Sequence, residues 1–310
     1  MRYRQPDRYL YKLFRNRIAG DRSKEMMTKN ILAVIVLYKR KAEESEAYLA
    51  FRELLKENNT AAFIELMLCD NTPTVQSPPA EFTGTYLSDT SNSGLAKHYN
   101  AALKIAEERG IPWLMLFDQD TTPTAEYLGE IIEKVPTWTN DSSIVAVVPK
   151  LHNGKTICSP HGAPTWAHPS FPADQQGTSE SVLFAFNSGA VLRVEALQHI
   201  GGFPEEFWLD FLDHATFIQL QRAGGSVFVM KSLLRHQLAI SDTRTSVSPA
   251  RYQNILRSER SFYGKYGTKK DRFYLKIRLF KTTLRFLIKE WRPQLARLTF
   301  RSFLGKVEAR

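Results

Sequence analysis

Two carboxylates stand two residues apart at the end of an apolar run, in MLFDQDTTP over residues 115–123. On an extended strand residues i and i+2 face the same side, so Asp118 and Asp120 would converge on one spot. Two like charges held together are unfavourable unless a positive group sits between them. A divalent cation meets that need. Oxygen ligation by few protein groups suits Mg²⁺ or Mn²⁺, which keep positions open for water and phosphate oxygens. The competing reading is a pair of solvated turn residues capping the next helix.

The elements that would carry these carboxylates alternate along the chain. ILAVIVLY (31–38) is a continuous β-branched apolar run and predicts a strand buried on both faces. Residues 42–58, rich in Ala, Glu and Leu, predict a helix. FIELMLCDN (63–71) predicts a second strand closed by an Asp-Asn-Thr-Pro turn signal, and TYLS (85–88) a third. Residues 89–110 predict a polar, glycine-bearing loop that opens a helix, and IPWLMLFDQD a fourth strand. Further on, 125–135 predicts a helix and 142–151 a strand, followed by a polar stretch over 152–180. Residues 181–197 are apolar around a turn at Asn187-Ser188-Gly189, 205–225 predicts a helix closed by glycine, and 227–238 contains a last short strand.

This alternation predicts an α/β fold with a mostly parallel sheet flanked by helices. Ligands of such sheets bind outside the carboxyl ends of the strands. Tyr38, Asp70, Asn92 and the Asp118/Asp120 pair all fall at or just past strand ends, or in the loops that follow. The Asn92-Ser93-Gly94 loop runs into a helix N-terminus, whose free N–H groups and dipole favour an anion such as a diphosphate.

A chain of 310 residues with 43% hydrophobic side chains can bury a substantial core. Its two cysteines, Cys69 and Cys158, point neither to a disulfide framework nor to a zinc site. The net charge of +10 is unevenly placed: residues 1–29 carry +6, residues 269–310 carry +10, and the body between carries −6. A nucleic-acid enzyme would hold its positive charge around the binding groove, so a nucleic-acid partner is not expected. Basic ends on an acidic body fit attachment to an anionic surface. No targeting segment or bilayer-long apolar run is visible, and the expected location is cytoplasmic, peripheral on the inner face of the membrane.

The strand-end residues resemble a known family. Val36-Leu37-Tyr38, Asp70-Asn71, Asn92-x-Gly94-x-Ala96-x-x-x-Asn100 and Asp118-Gln119-Asp120, in that order and spacing, resemble the nucleotide-sugar half of family 2 glycosyltransferases with the GT-A fold. The likeness is greatest to the rhamnosyltransferase-like branch and covers roughly residues 30–265. It implies a basic N-terminal extension at 1–29 and a GT-A catalytic domain at 30–265, with a nucleotide-sugar half (30–120) and an acceptor half (121–265). A basic amphipathic helical tail follows at 266–310. It also implies an inverting, metal-dependent transfer of a sugar, rhamnose by this likeness, from a dTDP- or UDP-linked donor to a glycan or lipid-linked saccharide acceptor. In that reading Tyr38 lines the base, Asp70 binds base or ribose, and Asn92 and Gly94 shape the loop beside diphosphate and sugar. Asp118 and Asp120 hold Mg²⁺ or Mn²⁺ on the diphosphate, and His236 matches a histidine that can complete the metal shell.

Inverting transfer needs one carboxylate to accept the proton of the acceptor hydroxyl, and no protein nucleophile. GGFPEEFWLDFLDHATF (201–217) offers Asp210 and Asp213, three apart and therefore neighbours if the segment is helical. The family base matches Asp213, with Asp210 the alternative. Ala215 departs from the pattern, since many relatives carry an acidic residue there to support the base. Asn187-Ser188-Gly189 would floor the sugar site, and His161, His168 and His214 are expected in the acceptor loop or on the surface. Arg251-Tyr252 and Arg257 resemble a segment in which an arginine meets the diphosphate as a loop closes, although Arg257-Ser258 stands where Arg-Asn is usual. Loops around 152–180 and 240–265 would exclude water.

From Phe273 on, apolar residues at 273, 277, 280, 284, 287 and 291 share one helical face, with Arg278, Lys281, Arg285, Lys289 and Arg292 on another. Such a helix either packs on the catalytic domain or lies in an anionic membrane surface, and the charge at both ends favours the membrane. Two other functions compete. A nucleotidyltransferase or phosphohydrolase could use a similar α/β edge, but the first strand ends in Tyr-Lys-Arg-Lys without the glycine-rich loop of the former. A non-catalytic basic membrane- or RNA-binding protein would have no use for Asp118, Asp120 and Asp213.

Overall fold

The computed structural model describes residues 29–56, 60–154, 156–162, 172, 174–179, 181–236 and 247–306. The basic extension expected at 1–29, apart from Lys29, lies outside them, as does His168.

The apolar run at the start forms strand β1 (Ile31–Leu37), fully buried along its length. Its side chains alternate between two cores: Leu32, Val34 and Val36 face one, Ile31, Ala33, Ile35 and Leu37 the other. A strand with no solvent face reads as uninterrupted apolar sequence. Next come a 3₁₀ turn (Ala42–Glu44), helix α1 (Glu46–Leu54), the single turn α2 (Thr60–Phe63), β2 (Ile64–Asp70) and β3 (Thr85–Ser88). The helix expected across 42–58 is shorter because Ser45 caps it, its hydroxyl accepting from the Tyr48 N–H at 3.2 Å. Helix α3 (Leu95–Glu108) leads to β4 (Trp113–Asp118), and α4 (Ala125–Asn140) to β5 (Ile144–His152).

The polar stretch after β5 holds short strands β6 (Ile157–Ser159), β7 (His161–Gly162), β8 (Gly177–Thr178) and β9 (Leu183–Phe184). Strand β10 (Val191–Arg193) runs directly into α5 (Val194–His199), followed by α6 (Leu212–Arg222) and β11 (Ser226–Arg235). The central sheet has the order β3-β2-β1-β4-β10-β5-β11-β8. Its β3-β2-β1-β4 half is parallel throughout, β5 and β11 are parallel, and β10 and β8 are antiparallel. Leu37 pairs with Asp70, Asp70 with Ser88, and Val36 with Asp118, so four strands end on one edge. Helices α3, α5 and α6 cover one face, α1 and α4 the other.

The helix read over 205–225 begins only at Leu212, because Phe211 adopts a left-handed φ of 63° and the Gly201-Gly202 bend and Pro204 precede it. Asp210 therefore lies outside the helix that carries Asp213. The water-excluding loop read over 240–265 is instead, from Pro249, helix α7 (Pro249–Lys265). Ser248 is its N-cap and Pro249 its first residue, a strong start signal. Residues 237–246 are outside the described part.

Helices α8 (Lys269–Ile288) and α9 (Pro293–Phe303) are the last described elements, and Thr268 with Asp271 forms a reciprocal capping box at the start of α8. The amphipathic helix read through Trp291 and Arg292 stops at Ile288, because Trp291 adopts a left-handed φ of 49° and Pro293 starts a new helix. No described helix is long and apolar enough to cross a membrane.

Candidate active site

Asp118 is the last residue of β4, and its backbone N–H donates to the Ser188 hydroxyl at 3.1 Å. The turn at 187–189 is pinned beneath it. Gly189 N–H donates to Leu116 O at 2.7 Å, and the buried Tyr127 hydroxyl donates to Gly189 O at 2.7 Å. Gln119, between the two aspartates, points the other way as strand alternation requires. Its amide accepts from Tyr38 N–H at 2.9 Å and donates to Tyr38 O at 3.3 Å, and its backbone O accepts from the Ser45 hydroxyl at 2.9 Å. One residue thus fixes the end of β1 against the carboxylate pair. The period-2 pattern carries this signal, but it does not say what an inward-facing amide will meet.

Asp118, Asp120 and His236 each offer a ligand atom, and these atoms lie within 4.8 Å of one another. Segments 115 residues apart meet because Thr121 and His236 form a bridge, with the Thr121 hydroxyl 2.8 Å from His236 Nδ1. Glu130 on α4 prepares that approach by accepting from the Lys231 and Ser232 N–H groups, each at 3.0 Å, where β11 slips register against β5. Burial pushes Asp118 up to about 7, and the facing Asp120 and Asp213 carboxylates push the same way, against a Ser188 hydrogen bond. Burial lowers His236 against the pull of Asp120 and Asp213, favouring the neutral imidazole that ligates metals. Two crowded carboxylates and a neutral imidazole fit a divalent cation, with the Thr121 contact at Nδ1 orienting the ring.

Around this cluster the other candidate residues fall into place unevenly. Asp70 is only 1% exposed. Its carboxylate accepts from Thr72 N–H at 3.0 Å, Gln76 Nε2 at 3.3 Å and the Tyr86 hydroxyl at 2.9 Å. It therefore organises the loop after β2 from beneath. Thr72 and Gln76 also line a cleft of about 540 Å³ with Lys39, Arg40, Lys41 and Glu44, next to the exposed Tyr38 ring. Asn92 has a left-handed φ of 52°, and its carbonyl accepts from Trp208 Nε1 at 3.0 Å. Gly94, at φ 96°, packs so tightly on Trp208 that a Cβ there would lie 2.2 Å from the indole. The Asn92–Gly94 loop is thus locked against the segment that leads into α6. Asn100 repeats the device, exchanging hydrogen bonds of 2.8 and 3.0 Å with the backbone of Phe203.

Asp213 sits in the first turn of α6, where unpaired N–H groups and the helix dipole favour a carboxylate. Asp210 is engaged elsewhere, gripped by both terminal nitrogens of Arg251 on α7. Arg257 lies on the same helix, its Nε buried without a hydrogen-bond partner. Sequence reasoning puts His161 and His214 in the acceptor loop or on the surface. In the structure both rings are largely buried, and His214 contacts Asp213 directly.

Comparison with known proteins supplies the frame for this geometry. Residues 33–201 match the family model described as glycosyl transferase family 2. No curated protein matches. Among solved structures, S. aureus TarS 1–349 superposes with a TM-score of 0.51 at 13% identity, over 90% of this chain and 81% of that one. The same TarS fragment in complex with UDP-GlcNAc gives 0.52 at 13% identity, over 90% and 82%. At such identities the likeness speaks for the fold alone. The family match is a separate matter: it spans more than half the chain and includes Tyr38, Asp70, Asn92, Gly94 and the Asp118/Asp120 pair, so this protein belongs to glycosyl transferase family 2 and is a glycosyltransferase of GT-A architecture.

Proposed function

We propose that the protein transfers a sugar, with inversion, from a dTDP- or UDP-linked donor to a saccharide acceptor on a glycan or lipid carrier. Rhamnose is the sugar the sequence likeness supports. The observation that carries this reading is the convergence of Asp118, Asp120 and His236 ligand atoms within 4.8 Å, on the sheet edge that also holds Tyr38 and Asp70. A nucleotide would lie from the Tyr38 ring and the Lys39–Lys41 cleft toward the carboxylates, with Arg257 meeting the diphosphate. Asp118, Asp120 and His236 would hold Mg²⁺ or Mn²⁺, which when bound offsets charge on the leaving diphosphate. Asp213 accepts the acceptor's hydroxyl proton as that oxygen attacks the anomeric carbon from the face opposite the diphosphate. With an α-linked donor, NMR of the first-formed product should show a β linkage. Retention of configuration, or release of nucleoside monophosphate instead of diphosphate, would sink the reading in favour of other chemistry on this edge.

The catalytic unit is read as residues 30–265, with 266–310 as its attachment to the cytoplasmic membrane face. On α8 the packed side is Leu279, Thr283 and Phe286, which meet α7 and α9 near Tyr252, Leu295 and Ala296. The stripe Phe273, Phe280, Leu284, Leu287 and Ile288 lies roughly 110° around the helix from it. It faces out, with Phe273 62% and Ile288 74% exposed, and Trp291 follows at 83%. Phe280 continues through Phe303 to Phe300 on α9, ring to ring at 5.8 and 5.9 Å. Arg278 turns inward to the buried Glu259, but Lys276, Lys281, Lys289, Arg297 and Arg301 remain exposed around the patch. Aromatic and aliphatic side chains framed by cations match an anionic bilayer surface, each basic residue contributing about 1 kcal/mol.

The full chain should therefore sediment with vesicles of one part phosphatidylglycerol to three of phosphatidylcholine. The double variant Phe280→Glu, Leu284→Glu should bind at least about tenfold more weakly. Wild-type protein that ignores anionic vesicles, or that forms a dimer dissolved by the same variant, would contradict this partner.

A further inference from the structure

The carboxylate of Asp213 is held asymmetrically. Its Oδ1 accepts from the His214 backbone N–H at 2.8 Å and lies 2.8 Å from His214 Nδ1. A carboxylate anion only accepts, so Nδ1 carries the hydrogen. The far nitrogen of the same ring, His214 Nε2, lies 3.2 Å from His161 Nε2, within reach of one hydrogen bond between the two rings. His161 is delivered by the β7–β9 ribbon, where it pairs with Phe184. Phe184 stacks on both imidazoles, at 5.7 Å from His161 and 5.3 Å from His214, while Phe211 and Phe262 close the remaining sides of His214. A ring caged on three sides by aromatic groups has one orientation, so its Nδ1–H is aimed rather than free to wander.

We propose that His214, held by His161, is the positioning residue that fixes Oδ1 of Asp213 and leaves Oδ2 as the oxygen that accepts the acceptor's proton. This supplies by a different route the support that Ala215 withdraws, from a residue one place beyond the aspartate and a strand 53 residues upstream. It rests on the reading of Asp213 as base. The groups facing Asp213 are His214, His161, Asp118, His236 and the buried Tyr99 hydroxyl. Burial would raise the Asp213 carboxyl, yet the charge and hydrogen bonds of His214, with His161 behind it, hold it below the usual carboxylate range. Removing His214 lets burial dominate, so the proton is held more tightly and the acid limb of the rate profile moves to higher pH.

The test is the pH profile of kcat in the full-length enzyme, with saturating donor and metal. His214→Ala should lower kcat about tenfold or more, move the acid limb up by about one pH unit, and leave donor affinity within about twofold. His214→Asn, which can present an amide N–H in place of Nδ1–H, should recover most of both effects. His161→Phe keeps a ring against Phe184 and should move the limb the same way, by less. An unmoved limb in His214→Ala, an asparagine variant no better than alanine, or a His161→Phe enzyme identical to wild type would each overturn the proposal. If Asp213→Asn itself remained active, the assignment of the base would have failed instead.

Discussion

Asp213→Asn is expected to bind the nucleotide-sugar donor as wild type does and to lose about 10²- to 10⁴-fold in kcat, the range a positioned general base supplies. The substitution keeps the volume of the side chain at the start of α6 and removes its capacity to take a proton. Because Asp213 is not among the three groups whose ligand atoms cluster, the donor site should be unaffected. Asp210→Asn is the informative contrast. Its carboxylate is occupied by Arg251, so the change should cost about 1–3 kcal/mol of stability through the weakened pair and leave kcat within a few-fold. Urea unfolding and steady-state kinetics on both variants separate the two aspartates. A kinetic collapse in Asp210→Asn with near-normal turnover in Asp213→Asn would reverse the assignment.

The second large effect is a conflict between stability and function at Asp118. Its carboxyl sits near 7 in the folded protein, whereas an unfolded chain leaves it near 3.9. Between those values the folded state binds a proton that the unfolded state does not. Metal-free stability should therefore fall as pH rises through that window. The full shift corresponds to about 4 kcal/mol, and with the carboxylate partly solvated about 1–2 kcal/mol is expected. Asp118→Asn should then raise the unfolding temperature of the metal-free protein at pH 8 by about 2–5 °C, with little gain at pH 4.5. Mn²⁺ should stabilise the wild type and leave the variant unchanged. A metal-free Asp118→Asn protein less stable than wild type at pH 8 would show that the carboxylate cluster is relieved by other means.

Much of this site is legible in the amino-acid sequence, for a specific reason. Residues 31–37 and 113–117 are buried on both sides, so they appear as unbroken apolar runs, and the first polar residues after them mark the sheet edge. Asp70, Asp118 and Asp120 stand out because strand ends are local features. The long-range contacts do not. His161 and His214 are 53 residues apart, and nothing in either neighbourhood encodes that the β7–β9 ribbon lays one ring against the other. The start of α6 escapes a sequence reading because EEFWLDF (205–211) is apolar and charged enough to pass for helix, while the left-handed Phe211 shows only in three dimensions. On α8 Phe273, Ile277, Phe280, Leu284 and Leu287 share one face, as their spacing predicts, but the helix stops at Ile288 and leaves Trp291 beyond it at a left-handed φ of 49°, and Leu279 and Phe286 form a second apolar arc at similar spacing. Periodicity finds both arcs and cannot say which one meets the protein.

The most direct test of a metal-assisted donor site is calorimetric titration of dTDP, UDP and GDP into the wild type and Asp120→Asn, with and without Mn²⁺. One nucleotide should bind with an affinity that depends on the metal, and Asp120→Asn should lose that dependence. Equal and feeble binding of all three nucleotides, indifferent to metal and to the substitution, would contradict a metal-assisted nucleotide-sugar site at Asp118 and Asp120.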